Sequence, residues 1–456
     1  MWFRRDLRLS DHAALAYAAR ENNEVVPLFV IDPALVRHSG QPRLAFMYRS
    51  LRALNDSMGG QLVVRHGDPQ VVVAALAAET RSTEVVVTRD YAPYGRERDA
   101  GVAAALAAQQ VAFVGKGSQY AVAPGGVLKP DGTPYAVFTP FRRTWNQRGW
   151  TEPGGAVVAN FSGADHWPCE PIPDDPELDC TLPPAGEDAA LSRWDDFVAS
   201  GLDSYDQSRD LPAVAGTSMM SAYLRWGQVH PRQLLAGLGD SAAHEIFRSE
   251  LAWRDFYADV LFRSPQSARQ NLQHKMDAIR LDTDAAARER FELWATGCTG
   301  YPLVDAGMRQ LLATGWMHNR VRMIVASFLV KDLRISWQEG ARWFWDTLLD
   351  ADLAANTLGW QWAAGCGADA APYFRIFNPT SQSKKFDPNG LYIKRYVPEL
   401  AQLSAADIHE PAAGRPLELE QAGVRIGRDY PEPIVNHAEA RTRALAALKV
   451  VSAGKR

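Results

Sequence analysis

LDADLAANTLGWQW, at residues 349–362, is the most informative stretch of the chain. On an α-helix the positions i, i+4 and i+8 share one face, so Asp352, Asn356 and Trp360 are predicted to lie on the same side. Two acids, an amide and two indoles in one segment suit a ring with polar edges and a redox-active centre. A capped helix end followed by core aromatics explains the same letters, and both interpretations stay open on the pattern alone.

Helical patterns dominate the second half of the chain. Apolar residues recur with a 3.6-residue period over 309–333, and residues 438–450 form another clear helix pattern. We therefore predict a larger all-α domain over residues 193–456. Nine of the 14 tryptophans lie between Trp226 and Trp362. This concentration indicates that indole side chains have a structural or functional role in this domain.

The first 122 residues have a different pattern, in which short β-branched runs alternate with alanine-rich stretches of helical length. Such alternation predicts an α/β N-terminal domain with a Rossmann-like parallel sheet. No GxGxxG follows a predicted strand, so a dinucleotide fingerprint is missing. The first strand pattern begins at Met1 itself, which leaves open whether the sequence holds the whole strand. The other predicted strands are 24–31, 61–65, 84–88 and 111–114, and the predicted helices are 43–58, 69–80 and 97–110.

The segment between the two domains, residues 123–192, is predicted to be a connector. Between Gly149 and Ser192 it contains seven prolines and neither lysine nor arginine. A long proline-rich stretch of this kind is expected to wrap over a surface of the protein.

Composition excludes several classes of protein. The 49 Lys+Arg and 53 Asp+Glu give a net charge of −4, so nucleic acid would have to bind at a local basic patch. No apolar run reaches the roughly 18 residues that a membrane span needs, and the N-terminus lacks a secretory signal. The four cysteines have neither metal-site nor disulfide-framework spacing. We expect a cytoplasmic protein that binds no membrane and no metal.

Three further clusters have a structural and a functional interpretation each. Residues 217–221, TSMMS, are typical either of a helix N-cap or of a loop that holds a phosphate. The polar residues within 316–323 are either a helix surface or ligand contacts. Glu250 and Trp253, at i and i+3, are either a solvated acid beside a core indole or part of a binding site.

Five motifs are distributed along the chain: WFRRDLRL at 2–9, GYP at 300–302, DAGMR at 305–309, WQW at 360–362 and DAAPYFRIFNP at 369–379. Taken together with the stretches above, these motifs resemble the DNA photolyase/cryptochrome family, and are most similar to its class I cyclobutane pyrimidine dimer photolyases. The resemblance covers essentially the whole chain. It implies light-dependent DNA repair, in which excited reduced FAD transfers an electron to a pyrimidine dimer flipped out of the duplex.

The resemblance also implies roles for individual residues. The reduced, anionic FAD would be bound by Tyr205, Thr217, Ser218, Met219, Met220, Ser221, Arg322, Asp350, Asp352 and Asn356, with Asn356 facing the flavin N5. The dimer would contact Glu250, Trp253, Tyr257, Asn319, Arg320, Met323 and Trp362, and Lys384 and Lys385 would join Arg320 at flanking phosphates. Catalysis and electron transfer would involve Glu250, Asn356, Trp360 and Trp337.

Trp360 and Trp337 match the inner two members of the family's electron-transferring tryptophan chain. The outermost member would fall within residues 280–284, RLDTD, which contain no tryptophan. Either another indole completes the path or photoreduction is slow; the candidate indoles are Trp294, Trp343 and Trp345.

An antenna pigment is the second cofactor that the resemblance implies. Residues 89–96, RDYAPYGR, look more like the 8-hydroxy-deazaflavin type than the methenyltetrahydrofolate type, with Asp90 and Arg96 as candidate contacts. An empty antenna site is the alternative.

Three other functions compete with repair of cyclobutane dimers. A cryptochrome-type photoreceptor is disfavoured by Asn356 at the N5 position and by the absence of a long tail after the last helix. A (6-4) photolyase carries two histidines where this chain has Asn319 and Met323, so its proton-transfer chemistry lacks an acid. A non-enzymatic flavoprotein that binds DNA is the third. We expect a monomer whose partner is damaged DNA and which associates with the nucleoid when bound.

Overall fold

The computed structural model describes residues 1–453, and every strand within them lies in the first 115 residues. These strands pair in parallel: β1 pairs with β2 and β2 with β3, while β4 pairs with β5. The predicted α/β domain with a parallel sheet is confirmed. The strands are β1 (Trp2–Phe3), β2 (Leu28–Ile31), β3 (Val63–His66), β4 (Glu84–Val87) and β5 (Ala112–Gly115).

Helices connect these strands, and capping side chains and first-turn prolines mark where they begin. The Asp68 side chain accepts a hydrogen bond from the Gln70 amide, and Pro69 occupies the first turn, where its missing N–H costs nothing. The three predicted helices of this domain are present. The helices here are α1 (Ala13–Glu21), α2 (Pro33–Val36), α3 (Gln41–Ser57), α4 (Pro69–Glu79) and α5 (Pro93–Ala107).

The strand predicted over 24–31 is too long at its start. Pro27 has no N–H for a ladder, and Val25 instead pairs with the connector: its amide donates to the Asn160 carbonyl at 2.9 Å. The Ser162 amide donates back to the Val25 carbonyl at 3.1 Å. The strand proper therefore begins at Leu28.

Most of the chain after residue 192 is helical, as predicted. Residues 438–450 lie in a helix, but the pattern over 309–333 is not one continuous helix. Gly315, with φ of 63°, ends one helix and a second begins at Asn319, since a left-handed residue cannot continue the spiral. These helices are α6 (Phe138–Arg148), α7 (Glu187–Ser200), α8 (Tyr205–Ser208), α9 (Ser221–Trp226), α10 (Pro231–Ala236), α11 (Ala242–Arg263), α12 (Ala285–Ala295), α13 (Pro302–Thr314), α14 (Asn319–Ser327), α15 (Trp337–Thr347), α16 (Leu353–Ala364), α17 (Pro379–Phe386), α18 (Leu391–Tyr396), α19 (Pro416–Gln421) and α20 (His437–Ala453).

The connector runs from one part of the protein to the other. After α6, residues 149–186 contain no helix, and the Glu170 amide donates to the Val64 carbonyl beside the sheet at 2.8 Å. Further along, the Thr181 amide donates to the Ala313 carbonyl of α13 at 3.0 Å. The boundaries 1–122, 123–192 and 193–456, with 123–192 as a connector, stay predictions.

A shared apolar core joins the α/β and helical parts. Phe46 of α3 meets Tyr223 of α9 with ring centroids 5.9 Å apart, and the same cluster includes Phe3 and Phe256. Within residues 1–453 no helix is long and apolar enough to cross a bilayer.

Candidate active site

A cavity of about 510 Å³ opens in the helical part, bordered by α9, α11, α14 and α16. Its size is typical of a site for a small molecule or cofactor. Every residue predicted to bind FAD or the dimer lines it, and of the four predicted catalytic residues only Trp337 does not. These lining residues are Tyr205, Thr217, Ser218, Met219, Met220, Ser221, Glu250, Trp253, Tyr257, Asn319, Arg320, Arg322, Met323, Asp350, Asp352, Asn356, Trp360 and Trp362.

Asp352 lies in the cavity wall as the cap of α16. Its carboxylate accepts hydrogen bonds from the Ala354 and Ala355 amides at 3.0 and 3.1 Å, and it pairs with Arg5. Asp352 is thus the N-cap that precedes the helix, and it lines the same cavity as Asn356 and Trp360 of α16. The capped-end interpretation is confirmed, and the interpretation as a site for a redox-active ring stays a prediction.

Two arginines that the sequence analysis missed surround Asp352. Burial raises the pKa of Asp352, but Arg5 and Arg225 outweigh it, so the pKa lies well below its usual range. Arg225 donates from Nε to the Ala351 carbonyl at 2.8 Å, whereas its buried Nη1 finds no partner among residues 1–453. Burial and the charge of Arg5 lower the pKa of Arg225. The wall thus holds a buried donor suited to an anionic or carbonyl oxygen.

A second ion pair fixes another arginine at the cavity. Arg322 contacts Asp350 through two bonds of 3.2 and 2.8 Å, and its Nε donates to the Met317 carbonyl at 2.7 Å. Such a bidentate pair holds the planar guanidinium in one orientation. Asn356 is held in a similar way, because its Nδ2 donates to the Ala341 carbonyl of α15 at 2.8 Å.

An arginine holds the loop 217–221 through hydrogen bonds to its main-chain carbonyls. Arg193 donates to the Thr217 and Ser218 carbonyls at 3.0 and 2.9 Å. Met220, and not Thr217 or Ser218, is the N-cap of α9 and makes no side-chain capping bond. Ser218 nevertheless accepts a hydrogen bond from the Met220 amide through its Oγ at 3.4 Å, so it satisfies an amide at the helix start. Met219 has a φ of 57°, a strained conformation for a residue with a β-carbon.

Two predicted dimer contacts already have protein partners. Glu250 pairs with Arg209 at 2.7 Å, and Arg320 pairs with Asp210 at 2.7 Å. Arg209 and Asp210 follow α8 and were not singled out from the sequence, because nothing in their local pattern marks the partners on α11 and α14.

Two aromatic rings form part of the cavity wall. Trp253 stacks on Phe138 with centroids 3.7 Å apart and planes 10° apart, which fixes the indole. Trp362 is half-buried at the same cavity. Asn319 and Met323, one turn apart on α14, bring Nδ2 and Sδ to 4.0 Å.

Trp337 lies apart from the cavity. It is buried, and its indole N–H donates to Oδ1 of Asn271 at 2.7 Å. Trp360 packs directly on α15, where a β-carbon in place of Gly340 would overlap the indole ring.

The two candidate antenna contacts are engaged within the protein. The Asp90 side chain is only 8% exposed, accepts a hydrogen bond from the Ala92 amide at 3.1 Å and pairs with Arg98 at 3.3 Å. Arg96 lies 4.8 Å from the centre of the Phe262 ring. In the described chain no group of three His, Cys, Asp or Glu side chains could hold a metal ion.

Asp255, behind Trp253 on α11, predicts a pH dependence of stability. Its Oδ2 accepts from the Val122 amide and from Nε1 of Trp145, both at 2.9 Å, and burial raises its pKa to about 6. At a pH between the ordinary pKa of an aspartate and about 6, the folded state therefore binds more protons than the unfolded state. The free energy of unfolding should therefore fall as pH rises through this window, by about 3 kcal/mol.

Urea unfolding of the wild type and of Asp255→Asn across this pH window measures the effect. The variant should lose the slope that Asp255 contributes, while Asp56→Asn, at an exposed position, should keep the wild-type slope. Equal slopes in the wild type and Asp255→Asn would show that Asp255 does not titrate there.

Comparison with known proteins places the chain among flavin-dependent repair enzymes and their relatives. Residues 1–157 match the family model described as DNA photolyase, and 247–450 match the FAD binding domain of DNA photolyase. The deoxyribodipyrimidine photo-lyase of Escherichia coli is 39% identical, with 100% of this chain and 99% of that protein covered.

Two solved structures are similar over nearly the whole chain. A bacterial class III photolyase from Agrobacterium tumefaciens is 38% identical with a TM-score of 0.90, covering 99% of this chain and 97% of that one. A Synechocystis cryptochrome is 28% identical with a TM-score of 0.89, covering 98% of each chain.

Proposed function

Because this chain belongs to the DNA photolyase family, we propose that it is a deoxyribodipyrimidine photo-lyase, which splits cyclobutane pyrimidine dimers in DNA with light and uses FAD. One observation supports the site assignment above others: a single cavity gathers the residues expected to hold FAD and those expected to hold the dimer. Electron transfer between two bound rings requires this proximity.

The cavity residues fit FAD in their chemistry. The unpartnered Nη1 of Arg225 and the hydroxyl groups of the 217–221 loop offer donors to phosphate and ribose oxygens. Arg322, held by Asp350, offers a fixed donor to a flavin carbonyl. Asn356 offers an amide that can hydrogen-bond a flavin nitrogen without titrating near neutral pH.

Held by Arg225, Arg322 and Asn356, reduced FAD would supply a light-driven electron to open the cyclobutane ring, and the electron would return once the ring has split. The chain itself supplies position and environment, so no nucleophile or metal is required. Trp253 and Trp362 form apolar walls for the flipped dimer and exclude water. Glu250, held by Arg209, presents a carboxyl group to the dimer bases, and Arg320, held by Asp210, faces a flanking phosphate.

Several finer assignments are part of the same proposal. The 89–96 motif favours 8-hydroxy-deazaflavin as antenna, near Asp90 and Arg96. Class I is the proposed subclass on the motifs, although a class III photolyase is 38% identical. We also propose a monomer in the cytoplasm, associated with the nucleoid when it binds damaged DNA.

Oligonucleotides that carry either a cyclobutane dimer or a (6-4) lesion test this function. With FAD chemically reduced, we expect repair of the cyclobutane lesion under blue light, no repair in the dark and no repair of the (6-4) lesion. Asn319 and Met323 support that selectivity, because neither can act as the proton donor of (6-4) chemistry. Repair in the dark, or of the (6-4) lesion alone, would contradict the assignment.

A third outcome separates enzyme from photoreceptor. If fully reduced protein binds damaged DNA yet repairs neither lesion in light, the chain acts as a cryptochrome-type receptor or as a DNA-binding flavoprotein. The light-and-dark comparison therefore tests both the activity and its class.

A further inference from the structure

Phe138, the first residue of α6, is buried behind one aromatic wall of the cavity. Its ring stacks on the indole of Trp253 with centroids 3.7 Å apart, and it also contacts the fully buried Phe256 at 5.8 Å. Phe256 and Tyr257, which contact the same indole, belong to α11, the helix of Trp253 itself. Phe138 is therefore the ring that relates the indole to a different helix.

The main-chain amide of Phe138 is held by an aspartate from a distant part of the chain. Oδ2 of Asp369 accepts a hydrogen bond from this amide at 3.2 Å, across 231 positions. Val137, the N-cap of α6, makes no side-chain capping bond, so Asp369 satisfies an amide of the first turn in its place. A carboxylate at this end is also favoured by the helix dipole. The start of α6 is thus fixed to Asp369.

Asp369 in turn has a defined position relative to α16, the helix that carries the second indole wall, Trp362. The loop that follows α16 is bonded back to it, because the Gly367 amide donates to the Gln361 carbonyl at 3.1 Å. Nε2 of Gln273 donates to the Gly367 carbonyl at 2.7 Å. Asp369 has a φ of 46°, a left-handed backbone that aspartate and asparagine adopt more readily than most residues.

We propose that Asp369 and Phe138 are positioning residues that hold the indole of Trp253 in a fixed position and orientation relative to Trp362. Asp369 fixes the start of α6 relative to α16, and Phe138 fixes the indole relative to α6. The proposal rests on the proposed function, in which the two indoles are the apolar walls for the flipped dimer. It also gives a role to the 369–379 motif, none of whose residues lines the cavity.

The first test compares the affinities for damaged and undamaged duplex, measured by fluorescence anisotropy at one salt concentration. Phe138→Leu keeps an apolar side chain but removes the flat ring. We expect the ratio of damaged to undamaged affinity to fall about 2- to 10-fold, the range for loss of one stacked aromatic pair. The affinity for undamaged duplex and the FAD content should stay at their wild-type values.

The matched control for Phe138→Leu is Phe141→Leu. Phe141 is buried on the same helix and contacts Phe256 with centroids 5.1 Å apart, but in the described chain it makes no ring contact with Trp253. It should keep the wild-type ratio. A wild-type ratio in Phe138→Leu, or an equal loss in Phe141→Leu, would overturn the positioning role.

Asp369 is tested by two substitutions that both suit a left-handed backbone. Asp369→Gly removes the acceptor and should lower the ratio, whereas Asp369→Asn keeps an acceptor and should restore it. If Asp369 acts through Phe138, adding Asp369→Gly to Phe138→Leu should lower the ratio no further. Additive losses in the double variant would contradict this connection.

A spectroscopic measurement tests the same connection without DNA. With fluorotryptophan incorporated, the fluorine NMR signals of Trp253 and Trp337 are identified by their absence in the corresponding phenylalanine variants. Phe138→Leu and Asp369→Gly should both shift the Trp253 signal and leave the Trp337 signal in place. An unmoved Trp253 signal in Asp369→Gly would overturn the proposal. Equal binding of both duplexes by the wild type would instead contradict the proposed function.

Discussion

Arg5→Ala is expected to release FAD and to lower the free energy of unfolding by about 3 kcal/mol, the lower end of the range for a broken buried ion pair. Arg5 follows β1 and reaches into the helical part, where it pairs with Asp352; each side chain is only 14% exposed. Without Arg5, the Asp352 carboxylate stays in the cavity wall with less compensation for its burial. Urea unfolding and flavin absorbance after desalting measure the two effects.

Two variants serve as controls for Arg5→Ala. Arg20→Ala removes an exposed arginine whose ion pair is with its neighbour Glu21, and such surface pairs contribute about 0–1 kcal/mol. Arg5→Lys keeps the charge and should restore part of the stability. Unfolding of Arg5→Ala at the same urea concentration as Arg20→Ala would contradict the role of this ion pair.

The architecture was predictable wherever local patterns determine it. Valine-rich runs predicted β3 and β4 to within one or two residues. The start of α4 at Pro69, after the capping Asp68, was also predictable from the local sequence. The errors occurred where distant chain segments compete. Val25 leaves the sheet for a connector residue more than 130 positions away, and the left-handed Gly315 breaks an apolar period that continues on both sides.

The residues that line the cavity were predictable from the sequence, but the ion pairs and hydrogen bonds that hold them were not. Motif resemblance named the residues that line the cavity, but Arg5 and Asp352 are 347 positions apart and no spacing rule connects them. Arg193 and Arg225 were missed for the same reason. Their function comes from carbonyls and carboxylates that only the tertiary fold brings near.

Trp362→Ala is expected to weaken binding of a dimer-containing duplex about 5- to 150-fold, because stacking of one base on an indole contributes about 1–3 kcal/mol. Affinity for undamaged duplex should hardly change, since that binding depends on phosphate contacts. FAD should remain bound, because the arginine and hydroxyl donors to it are untouched. Fluorescence anisotropy with both duplexes at one fixed salt concentration measures the ratio.

The matched control for Trp362→Ala is Trp167→Ala, a half-buried indole beside the sheet and far along the chain from the cavity residues. It should leave the ratio of damaged to undamaged affinity at the wild-type value. Trp253 is the less suitable position for this test, because its ring also stacks on Phe138 and its removal disturbs the core. If Trp362→Ala and Trp167→Ala give the same ratio, Trp362 is not a wall of the lesion pocket, and the dimer must be held by Trp253 and the polar residues of α11 and α14.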